Sequence, residues 1–97
     1  MTLSDLKSSL ENNLPNPAFP NALQALWYDA KGDWEKAHHL ADVIGGPGCD
    51  WVHAYLHRKE GDQWNADYWY RRAGKSRPSC SHDEEWDQIW DLLSHSS

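Results

Sequence analysis

Apolar residues along the 97-residue chain recur at spacings of three and four, and Gly, Pro or Asn-rich breaks separate the runs. That period marks helices with one buried stripe, whereas strict alternation, the mark of a half-buried strand, is absent. Leu3, Leu6 and Leu10 predict a short amphipathic helix over Thr2–Leu14. Pro15, Pro17 and Pro20 with Asn16 and Asn21 then make a stiff connector, and Pro20 suits the first turn of the next helix. From Asn21 to Lys31, Leu23, Leu26, Trp27 and Ala30 fill one side with Ala25 and Tyr28 on the other, as in a helix sandwiched between neighbours.

Gly32-Asp33 predicts a turn, followed by a helix striped by Trp34, Ala37, Ala41 and Ile44 that ends at Gly45-Gly46-Pro47-Gly48. Trp51, Val52, Ala54, Tyr55 and Leu56 crowd the next helix, which stops near Gly61. The Asp62 carboxylate can then cap a helix striped by Ala66, Trp69, Tyr70 and Ala73, and Gly74 tolerates the left-handed conformation that ends it. After Pro78, Ser81-His82-Asp83-Glu84 fits the S-x-x-E capping box and opens a last helix to about Leu93, with Trp86, Ile89, Trp90 and Leu93 buried. Six helices in one all-α domain are expected.

A slide of 29 residues superposes Ala25 on Ala54, Gly32 on Gly61, Asp33 on Asp62, Ala37 on Ala66 and Gly45 on Gly74. These are positions where small residues permit a turn or a close helix approach, so the two hairpins read as one unit used twice. Ala25, Tyr28, Gly32-Asp33-Trp34 and Ala37, then Ala54, Gly61-Asp62, Ala66, Tyr70, Ala73 and Pro78, resemble tetratricopeptide-type repeats. The run Ala66 to Gly74 also resembles the A-x-x-W-Y-x-x-A ending of Sel1-like repeats. The resemblance covers about residues 20 to 78, and its 29-residue spacing is shorter than the family's roughly 34. It implies two helical hairpins, residues 20–48 and 49–78, flanked by capping helices within residues 1–19 and 79–97. It also implies a peptide-binding groove lined by the first helix of each hairpin, through Leu26, Asp29 and Ala30, then Trp51, Tyr55, Arg58 and Lys59. His53 and His57 fall where such repeats pack helix on helix.

Composition narrows the function. A net charge of −6 argues against nucleic acid and against an anionic membrane, and no apolar run approaches the roughly 20 residues of a membrane span. No leader is expected, and Cys49 and Cys80 form neither a disulfide framework nor a CxxC pair, so a reduced cytoplasmic protein is expected. Six of the nine basic residues lie between Arg58 and Arg77, while Asp83, Glu84, Glu85, Asp87 and Asp91 follow, which predicts pairing of the last helix with the basic hairpin. Most of the seven tryptophans are expected in the core, since a small domain needs large apolar side chains to offset chain entropy.

No nucleophile elbow and no phosphate loop is present, and no cofactor is implied. Cys49 after Gly-Pro-Gly stands where a helix start could stabilise a thiolate, with histidines available as a base. The first reading is therefore a non-catalytic module for a protein or peptide, with Trp51, Tyr55, Arg58 and Lys59 in the groove and Arg71 or Arg72 taking a carboxylate. Homo-oligomerisation is left open. Trp64, Tyr68 and Arg71 share the face opposite Ala66, Trp69, Tyr70 and Ala73, so they either pack under the last helix or form an aromatic–basic patch. The rival reading is a small-molecule or metal site between the hairpins, on His53 and His57 with His38 or His39. Otherwise the histidines are interior side chains held by carboxylates or backbone.

Overall fold

The computed structural model describes residues 8–15, 19–44 and 47–95. Five helices make up this part: α1 (Asn21–Ala30), α2 (Trp34–Ile44), α3 (Pro47–Glu60), α4 (Gln63–Arg72) and α5 (His82–His95). The fold is all-α, with no strand among the described residues, and none of its helices is long and apolar enough to cross a membrane. Ser8 and Ser9 are helical, but residues 10–14 turn instead of continuing the helix to Leu14. Asn12, Asn13 and the Pro15 that follows disfavour the helical backbone there. Leu3, Leu6, Asn16, Pro17, Gly45 and Gly46 lie outside the described residues.

Both Gly-Asp turns are built alike. Gly32 and Gly61 take φ of +86° and +90°, a region that side-chain-bearing residues rarely adopt. The next amide closes the helix end in each case, Asp33 N–H on the Tyr28 carbonyl and Asp62 N–H on the His57 carbonyl, both at 2.9 Å. Each aspartate then caps the following helix, Asp33 accepting from Lys36 N at 3.1 Å and Asp62 from Asn65 N at 3.3 Å. Gly74 ends α4 at φ +74°, and Ser81 Oγ accepts from Glu84 N at 3.1 Å at the start of α5.

α1 packs on α2 and α3 on α4, and these antiparallel pairs meet through α2 and α3. The closest approaches use small residues, with Ala25, Ala37, Ala41, Ala54 and Ala66 essentially inaccessible. α3 is the centre: Trp51 to Leu56 are buried on every side, because α1, α2, α4 and α5 all lie against it. The last helix meets the basic hairpin through one ion pair among the described residues, Arg58 with Glu85 at 2.8 Å. It docks across α1 and α3, not on the outer face of the second hairpin, with Trp86 Nε1 donating to the Leu26 carbonyl at 3.1 Å and Trp90 meeting Phe19 edge-on at 5.3 Å. Six of the seven tryptophans lie in the core or packed against it; Trp64 is the exception.

Candidate functional site

The groove face is already occupied, by α5. Glu85 projects from it against α3 and α4 of the second hairpin and is 0% exposed. Its carboxylate accepts from Arg58 Nη1 at 2.8 Å, Tyr70 OH at 2.5 Å and Trp51 Nε1 at 3.3 Å, while Arg58 Nη2 donates to the Cys80 carbonyl. Three donors around one buried carboxylate offset the cost of taking it from water. Tyr55 OH and Lys59 Nζ both donate to the buried Asp29, at 3.1 and 3.0 Å, which ties α3 to α1. Leu26 is fully buried. Trp51, Tyr55 and Arg58 thus spend their polar atoms within the chain.

What remains of the groove is a cleft of about 550 Å³, where Asp29, Tyr55 and Lys59 face Asp83, Trp86 and Asp87 of α5. With Lys59 paired to Asp29, the cleft presents the carboxylates of Asp83 and Asp87, which form no ion pair among the described residues. A carboxylate ligand would be repelled there.

The opposite face of α4 is open. Trp64 is 77% and Tyr68 41% exposed, and Arg71 and Arg72 continue the strip one turn on. They do not pack under α5, which lies across α1 and α3. Arg72 folds back over the strip, with its guanidinium 5.1 Å from the Trp69 ring, its Nη1 3.3 Å from Tyr68 OH and its Nε 3.8 Å from Asp50. Burying one aromatic of this size is worth up to about 5 kcal/mol of apolar transfer energy.

A second constellation lies where α2 meets α3. His38, His53 and His57 bring one ring nitrogen each to within 4.8 Å of the others. Trp34 stacks on His38 at 4.9 Å and Trp69 on His53 at 3.8 Å, so an indole walls each side. His57 Nδ1 donates to Glu60 at 2.7 Å, the carboxylate partner expected of an interior histidine. His53 has no such partner on one side: its Nδ1 is buried without a hydrogen bond. An unsatisfied buried nitrogen costs about 1–3 kcal/mol. Burial, with His38 and His57 close by, holds the His53 pKa down at about 4, against a weaker opposing pull from Asp42. The His38 pKa is also lowered, by burial and then by His57, with Asp42 and Glu60 opposing. Exposed His39 stands outside the group. Cys49 is buried and its thiol is pushed up by burial and by Asp50, so the helix start does not activate it as a thiolate.

Sequence reasoning missed two residues that matter here. Glu85 reads as one of five acids expected to pair with the basic hairpin, as it does with Arg58, but its full burial was missed: it precedes Ile89 by four and so extends the buried stripe by a turn. Glu60 stands three residues after His57, the spacing at which a helix places two side chains together. No family model matches the chain, and no curated protein or solved structure matches it either.

Proposed function

We propose that the protein is a non-catalytic binding module that docks a protein or peptide on the outer face of α4. The observation that carries this is the exposed strip of Trp64 and Tyr68, a large indole and a phenol left in water beside two arginines. Tryptophan, tyrosine and arginine are the residues that dominate binding hot spots, where partner contact desolvates them. Arg71 and Arg72 at the end of the strip favour a partner presenting a carboxylate, which a guanidinium fork engages through two parallel hydrogen bonds. The acidic cleft on the other side disfavours the same ligand. The tetratricopeptide-like hairpins supply a rigid scaffold on this reading, with the outer helix in place of the inner groove as the contact surface.

A displayed library of acidic peptides, selected on the purified chain, tests the assignment. Trp64→Ala and Arg71→Glu should each weaken the selected peptides by about 30-fold or more, in line with a hot-spot loss of about 2 kcal/mol. Neither should lower the melting temperature, since both side chains are exposed. Asp87→Lys, in the cleft, should leave affinity unchanged. Peptides that bind the Trp64 and Arg71 variants as tightly as the unaltered chain would show that α4 is not the docking face.

A further inference from the structure

The three clustered histidines include a buried nitrogen that packing alone does not account for. Imidazole nitrogens in a helical core are ordinarily held by hydrogen bonds, since a polar atom out of water needs a partner. Here His53 Nδ1, on a residue 2% exposed, has none. It belongs to a group in which three imidazoles from two helices converge, with ligating nitrogens no more than 4.8 Å apart. The surroundings are acidic: Glu60 is hydrogen-bonded to His57, Asp42 acts electrostatically on His38 and His53, and Asp62 lies close to both His57 and Glu60. A positive charge placed among the three rings would be drawn by these carboxylates.

We infer that His38, His53 and His57 form a binding site for one divalent transition-metal ion of the zinc class, set between the two hairpins. Three neutral imidazoles suit zinc, copper, nickel or cobalt and are poor ligands for magnesium or calcium, which take oxygen. The fit is close. An ion centred among three nitrogens no more than 4.8 Å apart stands at most about 2.8 Å from each, and zinc–nitrogen bonds are about 2.0–2.1 Å, so each ring would close by no more than about 0.7 Å. Glu60 holds the ring of His57 by its Nδ1–H, which leaves Nε2 with the lone pair. A carboxylate behind a histidine is the usual outer-shell support of a zinc ligand, fixing the tautomer and raising basicity. Trp34 and Trp69 fix the planes of His38 and His53 by stacking. The fourth coordination position falls to water, since Glu60 is engaged behind His57 and both Asp62 oxygens accept from Asn65.

The site lies on the α2–α3 junction, apart from the Trp64 strip, so the two proposals stand or fall separately. The full chain is stripped with a chelator, titrated with zinc by calorimetry, and assayed by elemental analysis after dialysis. Cobalt is then used in place of zinc for its visible absorption. One ion per chain is expected, with the intense cobalt bands of a four-coordinate site. His38→Gln and His57→Gln should each weaken binding by at least about tenfold, and so should Glu60→Gln, through loss of the charge behind His57. His39→Gln and Trp64→Ala should bind as the unaltered chain does, and far-ultraviolet circular dichroism checks that every variant is folded. Failure of the unaltered chain to retain zinc would overturn the inference. So would retention that survives the His38→Gln/His57→Gln double substitution, because the ion would then be held elsewhere.

Discussion

Glu85 shows how much one side chain can settle. It is fully buried and serves three donors, so Glu85→Ala leaves Arg58, Tyr70 and Trp51 without their shared acceptor. Removing one member of a buried ion pair costs about 3–5 kcal/mol, whereas exposed Glu84→Gln should stay within about 0.5 kcal/mol. Urea denaturation of the two variants gives the contrast directly, and equal midpoints would show that α5 is not held through Glu85. At His53 the consequence is a pH dependence. Its folded-state pKa of about 4 lies below the ordinary 6.5, so between those values the unfolded chain binds more protons. The contribution is therefore complete above about pH 6.5 and is lost as pH falls toward 4, up to about 3 kcal/mol in the metal-free protein. His53→Phe can stack on Trp69 without titrating; its stability, measured by denaturant at a series of pH values, should fall less steeply over that window. Parallel curves would show that His53 is not the group responsible.

Among the elements, α5 carries the heaviest duty. It covers α1 and α3 with Trp86, Ile89 and Trp90, all buried, so removing residues 80–97 would uncover the faces of α1 and α3 around Leu26 and Trp51. An apolar area of that size on a small domain invites aggregation. The truncated chain is expected to lose its cooperative thermal transition or to associate, by calorimetry and light scattering. A monomeric truncation with a sharp transition would make α5 a removable segment. The turns that frame the hairpins behave differently, because they are local. Gly32, Gly61, Asp33 and Asp62 act through their own backbone and capping bonds, with no help from distant residues.

At the scale of the whole molecule, two faces and one junction divide the chemistry. α5 fills the inner face with a buried carboxylate network, the outer face of α4 offers aromatic and basic groups to a partner, and the α2–α3 junction gathers three histidines. The helices α1 to α5, their Gly-Asp and Ser81 boundaries and the small residues between them are all legible in the order of residues. Each depends on a hydrophobic period or a turn conformation that a few neighbouring residues dictate. That order also brought His53 and His57 to one face, since positions four apart on a helix are neighbours. Which surface α5 covers was settled only in three dimensions. Its apolar stripe would suit either the groove or the outer face of α4, and the choice rests on Glu85 meeting Arg58, Tyr70 and Trp51, residues 15 to 34 positions away. The same docking closed the groove and left Trp64 and Tyr68 in solvent, while the packing of α3 on α1 gave Tyr55 and Lys59 to Asp29. His38 joined the other two histidines through the contact of α2 with α3, and His53 Nδ1 was left without a partner there. A periodic pattern says that a side chain is buried; only packing decides what it is buried against.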